Sequence, residues 1–140
     1  MLKYLVFAFV IAALPSCGRN EPLANYEPKS PREQALKNLL LEFEAGVNAR
    51  DAVKVGNLIH NEASIMIGRD RKILSRAEYI AILPKRLAEN PPISLGIPKM
   101  SVFDYKAEVR IYMTRGDYTG LMVFNMKLDN DRWYIQSWDY

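Results

Sequence analysis

Apolar and polar positions divide the chain into four stretches. Residues 4–14 form an unbroken apolar run behind Lys3. Residues 18–30 have no periodic apolar face and contain Pro22 and Pro28, the composition of a tether. Residues 31–89 then carry apolar side chains mostly at helical spacing. Leu36, Leu39, Leu40, Phe43 and Val47 predict a helix that ends near Asn48. Ser30-Pro31-Arg32-Glu33 supplies its start, with Ser30 and Glu33 as a capping box and Pro31 at the first helical position. Asp51 caps a short second helix with Val53, Val55, Leu58 and Ile59. Residues 63–67 predict a short strand and residues 68–72 a polar turn. Ser75-Arg76-Ala77-Glu78 is a second capping box, opening a third helix with Tyr79, Ile82, Leu83 and Leu87. Pro84 lies inside that pattern and is expected to kink or break it. Residues 90–98, rich in Pro and Gly, predict a loop.

From Lys99 the period changes to two. Turn signals at Tyr105-Lys106, Gly116-Asp117 and Asn130-Asp131 divide the rest into four antiparallel strands. Two-residue turns set the register, with Arg115 opposite Tyr118, Ile111 opposite Met122, Val109 opposite Phe124, Leu128 opposite Trp133 and Met126 opposite Ile135. One face then collects Met100, Val102, Ala107, Val109, Ile111, Met113, Met122, Phe124, Met126, Leu128, Trp133 and Ile135. Asp104, Ser137 and Asp139 fall on this face as well. The other face carries polar residues and an apolar cluster of Tyr112, Leu121, Val123, Tyr134 and Trp138. A solvated face is ordinarily more polar than this, so the cluster predicts an association surface, a homodimer or an envelope partner.

The order helix, short helix, strand, helix, antiparallel meander resembles the nuclear transport factor 2-like domains. The residues carrying the resemblance are Asn48-Ala49-Arg50-Asp51, Leu58-Ile59-His60-Asn61-Glu62-Ala63, Ser75-Arg76-Ala77-Glu78-Tyr79 and Asp131-Arg132-Trp133-Tyr134-Ile135. The resemblance covers roughly residues 32–140 and implies an α+β fold, with N-terminal helices packed in a curved antiparallel sheet shaped like a cone around an internal pocket. It also implies two kinds of activity. Ketosteroid isomerase, scytalone dehydratase and polyketide cyclases of this group place an Asp or His inside the cone as a general base, whereas many other members only bind or assemble. In the isomerases the base lies on or near the first strand. Here that strand, Ala63-Ser64-Ile65-Met66-Ile67, has no acid and no His.

The N-terminus adds an address. The apolar run is shorter than the ~20 residues a membrane span needs and fits a signal peptide. Leu14-Pro15-Ser16-Cys17 follows it and resembles the lipidation box of bacterial lipoproteins. The resemblance implies a signal peptide over residues 1–16, a diacylglyceryl group on Cys17, cleavage before it and acylation (palmitate) of the new amine. It implies export and anchoring to a membrane through that lipid. Gly18 in place of Asp points to the periplasmic face of the outer membrane in a Gram-negative cell. Residues 17–31 are then a lipidated tether and residues 32–140 the domain.

Composition narrows the function classes. Of 140 residues, 49% are hydrophobic and 25% charged, as expected for a globular domain. The net charge of +3 falls to +2 without residues 1–16, which hold Lys3 and no acid, so nucleic-acid binding is not expected. Cys17 is the single cysteine, which leaves no disulfide framework and no cysteine zinc site. His60 is the single histidine and cannot form a multi-histidine metal site; no metal and no cofactor are expected. Candidate pocket residues are His60, Tyr79, Asp104, Ser137 and Asp139. The expected function is a non-enzymatic, membrane-tethered domain that binds a small apolar ligand or a partner protein at the cell envelope. The alternative is an envelope enzyme doing acid/base chemistry on a small apolar substrate, with His60, Asp104 or Asp139 as base.

Overall fold

The structure, a computed structural model, describes residues 21–140; the expected signal peptide, Cys17 and the first residues of the expected tether lie outside the described residues. Helices α1 (Pro31–Asn48), α2 (Ala52–Asn57) and α3 (Arg76–Glu89) pack against one face of a curved, unclosed seven-stranded sheet. The strands are β1 (Ile59–Ile67), β2 (Lys72–Ser75), β3 (Ile93–Leu95), β4 (Lys99–Val102), β5 (Lys106–Arg115), β6 (Tyr118–Asp129) and β7 (Arg132–Asp139). Their order is β2-β1-β7-β6-β5-β3, with β4 also pairing β5. The sheet is mixed rather than antiparallel throughout, because β1 runs parallel to β7.

Each helix start follows from its cap. Ser75 Oγ accepts from the Glu78 amide at 3.2 Å and the Glu78 carboxylate accepts from the Ser75 amide at 2.8 Å, a complete capping box. At α1 only half of the box forms. Ser30 Oγ accepts from the Glu33 amide, but the Glu33 carboxylate accepts from the Lys29 amide and the Tyr26 hydroxyl instead. Asp51 caps α2 by accepting from the Lys54 amide. Helix α1 meets α2 at Gly46, where an added Cβ would stand 2.9 Å from Val55 Cγ2. Pro84 does not break α3. It is exposed and costs one backbone bond on the outer side, while Leu83 and Leu87 keep the inner side packed.

Four further sequence expectations change in this part of the chain. The stretch expected to be tether is part of the fold from residue 21 on: Leu23 sits in a single 3-10 turn with 1% exposure, and the Lys37 ammonium donates to the Ala24 and Tyr26 carbonyls. The strand expected at 63–67 begins at Ile59 and takes in His60. The loop expected at 90–98 holds β3, fixed by two bonds between the Asn48 side chain and the Ile93 backbone, and by the Leu95 amide donating to Glu44. The fourth is the end of β7. Register on β6 follows expectation from Asp129↔Arg132 to Met126↔Ile135, then shifts at a bulge so that Asn125 pairs Ser137 and Phe124 pairs Trp138. Gln136 is the extra residue, and every later side chain changes face.

Candidate functional site

The inside of the cone is filled. Phe43 of α1 meets Phe124 at 5.6 Å and Trp138 at 5.9 Å between ring centroids, and Tyr79 of α3 meets Trp138 at 5.3 Å, all in edge-on or tilted contacts. Met113, Met122 and Met126 pack into the same core. Among the described residues His60 is the only buried polar or charged side chain.

The bulge explains most of the differences at the expected pocket. Trp138, expected on the outer cluster, is 7% exposed inside the cone, and its indole N–H donates to the Met66 carbonyl at 2.9 Å. Ser137 and Asp139, expected inside, face outward: Ser137 Oγ accepts from Asn125 and the Asp139 carboxylate pairs with Arg71 at 2.6 Å. Asp104 is also outside the cone. The β4–β5 connection has three residues, Phe103, Asp104 and Tyr105, and Val102 pairs Ala107, so Asp104 is exposed on the loop. The Arg32 guanidinium holds that loop by donating to the Phe103 and Asp104 carbonyls.

His60 lies on the outer side of the sheet with Tyr134 and Asp129, opposite the side of Trp133 and Ile135. Its Nδ1 accepts from the Glu62 amide at 3.1 Å, which puts the ring proton on Nε2, and Nε2–H donates to Asp129 Oδ2 at 2.8 Å. That hydrogen bond holds the Asp129 carboxyl below the usual carboxylate range. Tyr134 stands edge-on to the imidazole at 5.6 Å, and Arg132 lies over the Tyr134 ring. A polar cleft of about 350 Å³ opens beside them, lined by Asn57, Asn61, Arg76, Asn130 and Arg132 among others. Arg76 is committed there to the Gly56 and Ile59 carbonyls. The cleft offers hydrogen bonds; both imidazole nitrogens are engaged, and the half-exposed Asp129 carboxylate is the one acid in its lining.

Tyr79 does point into the cone. Burial pushes its phenol up to about 12, against the opposing charges of Arg86 and Arg115. Those two arginines were not among the sequence candidates. Arg115 continues the inward alternation Ala107, Val109, Ile111, Met113, so its parity was the available signal; its place beside the Gly116 turn made it resemble an ordinary flanking charge. Its Nε is buried and has no hydrogen-bond partner. Of the outer cluster, Tyr112, Leu121 and Val123 stay together, with Leu121 41% exposed, whereas Tyr134 pairs Lys127, four positions along β6 from Val123, and stands beside His60. Among the described residues no group of His, Cys, Asp and Glu could hold a metal ion, and no helix is long and apolar enough to cross a membrane.

Comparison with solved structures identifies the fold. A Xanthomonas campestris protein named for the calcium/calmodulin-dependent protein kinase II association domain superposes with a TM-score of 0.70 at 12% identity, covering 86% of this chain and 92% of its own. A nuclear transport factor 2-like protein of unknown function from Shewanella baltica gives 0.63 at 14% identity, covering 80% and 94%. A Shewanella frigidimarina protein named for ketosteroid isomerase gives 0.64 at 18% identity, covering 75% and 94%. The chain therefore has the nuclear transport factor 2-like fold. No family model matches the sequence, and no curated protein matches it.

Proposed function

We propose that this chain is a bacterial lipoprotein, anchored through lipid on Cys17, whose domain binds a small ligand or a partner protein at the cell envelope without catalysis. One observation carries the non-catalytic reading: no described carboxylate or imidazole faces the filled interior of the cone. The only His is turned outward with both nitrogens hydrogen-bonded, and Asp104 and Asp139 stand on the outer surface. A general base needs a free lone pair within reach of substrate, and none of the three expected bases meets that condition inside the cone.

The anchor rests on the sequence pattern around Cys17. Two or three acyl chains on one residue give a durable hold, at roughly 0.8 kcal/mol per buried CH₂. The test is mass spectrometry of the membrane fraction from cells making the wild type and Cys17→Ser. Wild type is expected as a cleaved, acylated species and the variant as an unprocessed precursor; identical unlipidated products would refute the anchor. The outer sheet face carrying Tyr112, Leu121 and Val123, with Tyr134 further along it, is proposed as the contact with a second copy. Sedimentation of residues 21–140 as a monomer at high concentration would argue against it.

A further inference from the structure

The β4–β5 connection presents two aromatic side chains from a fixed backbone. Phe103 is 64% exposed and Tyr105 72%, with only Asp104 between them. The Phe103 amide donates to the Lys106 carbonyl at 2.8 Å, and the Leu128 amide donates to the Tyr105 carbonyl at 2.9 Å. Arg32 adds its bonds to the Phe103 and Asp104 carbonyls at 2.9 and 3.1 Å. Single exposed apolar residues such as Val53 or Ile73 need no explanation. Two aromatics on one pinned loop are different, because the ties keep the backbone from folding both rings back onto the domain.

The loop also has a fixed place relative to the proposed anchor. Arg32, which holds it, stands in the first turn of α1. Glu33 beside it accepts from Tyr26, and Lys37, one turn on, donates to the Ala24 and Tyr26 carbonyls. The loop and the segment that leads back toward Cys17 therefore meet at the same end of α1. Leu23 is six residues from Cys17, at most about 20 Å of extended chain. An end of the domain held that close to a bilayer, with two exposed aromatics, suits the lipid–water interface. A tyrosine there sets its ring at the acyl boundary and its hydroxyl among the head groups. Exposed Lys29 and Lys106 flank the loop and reach head groups along their apolar stems. Asp104 limits the depth to the head-group level, since a carboxylate enters hydrocarbon only at a cost. We infer that the Phe103–Tyr105 loop is a second membrane contact, dipping into the head-group region of the bilayer that carries the anchor and orienting the domain on it. This rests on the lipid-anchor reading above and says which end of the domain meets the membrane.

The test separates the loop from the natural lipid. Residues 21–140 hold the whole sheet, helices α1–α3 and Leu23, and contain no cysteine. They are attached by an N-terminal hexahistidine tag to vesicles of phosphatidylethanolamine and phosphatidylglycerol doped with nickel-chelating lipid. Asp104→Cys and, in a second chain, Asp117→Cys carry an environment-sensitive fluorophore. Both positions are exposed and lie beyond opposite ends of the 10-residue β5, about 30 Å apart. Emission at position 104 is expected to rise at least twofold on attachment and to be quenched by brominated lipid, while position 117 changes little. Phe103→Ser with Tyr105→Ser is expected to bring the signal at 104 down to that at 117, at an unchanged urea midpoint because both side chains are exposed. Equal signals at 104 and 117, or quenching at 104 that survives the double substitution, would overturn the membrane contact. Self-quenching of the 104 label in solution without vesicles would overturn it too and assign the loop to a second copy. None of these results bears on lipidation of Cys17, which mass spectrometry of the wild type decides separately.

Discussion

His60 shows how one residue type supports two opposite readings. Histidine as a residue type suits acid/base work near neutral pH, but both ring nitrogens of His60 are committed to structural bonds. The Glu62 amide occupies Nδ1 and Asp129 occupies Nε2, so the ring clamps the start of β1 to the β6–β7 turn. His60→Phe keeps the ring volume and leaves the Glu62 amide without its acceptor, with an expected loss of about 1–3 kcal/mol in urea unfolding. The pH dependence follows from Asp129. Its carboxyl titrates lower in the folded chain than in the unfolded one, chiefly through the bond from His60. The stability it contributes is therefore complete above the unfolded carboxylate range, near 4, and is lost as pH falls through the folded value. Unfolding of Asp129→Asn compared with wild type between pH 6 and 2 checks this: the difference between the two is expected to shrink on acidification. A constant difference would mean the His60–Asp129 bond is not the cause.

At the scale of elements, the meander was legible and its last turn of register was not. The β5–β6 register is as the Gly116-Asp117 turn predicts, and Asn130 and Asp131 both adopt positive φ, as a two-residue hairpin of this type demands. Alternation gave the apolar face because one side of each strand is buried and a slip of one residue would expose it. The bulge at Gln136 escaped that logic. It is held from outside the hairpin, by Gln136 Nε2 donating to the Glu62 carbonyl and by the Trp138 indole donating to the Met66 carbonyl. Both partners belong to β1, which lies 70-odd residues earlier in the chain, and no local pattern announces them. Moving Trp138, Ser137 and Asp139 to new faces removed one candidate pocket acid and one candidate hydroxyl and filled the cone. Trp138→Ala is accordingly expected to cost about 3–5 kcal/mol, a loss typical of a core aromatic, measured as a fall in the urea midpoint at unchanged slope. Trp138 on the outer face, as simple alternation has it, would lose far less. Deleting Gln136 removes the extra residue while leaving Ser137 opposite Asn125 and Trp138 opposite Phe124, so the indole is expected to stay inside and the urea midpoint to fall less than for Trp138→Ala.

At the scale of the whole molecule, the point where the folded domain begins bears on the proposed anchor. The composition of residues 18–30 suggests a free linker, because Pro22, Pro28 and scattered polar residues show no period. A single buried residue needs no period. Leu23 is enclosed by the core, Tyr26 donates to Glu33, and Lys37 grips two carbonyls of the segment. A lipid on Cys17 would then lie six residues from Leu23, a reach of at most about 20 Å when fully extended, so the domain would ride close to the membrane surface. The stability test separates this arrangement from a free linker. A chain starting at residue 32 is expected to unfold at lower urea than one starting at residue 21, and Leu23→Ala in the longer chain is expected to account for most of the gap, at about 2–5 kcal/mol. Equal midpoints for the two chain lengths would make residues 21–31 a free linker after all. Unequal midpoints with no effect of Leu23→Ala would transfer the anchoring to the hydrogen bonds of Tyr26 and Lys37.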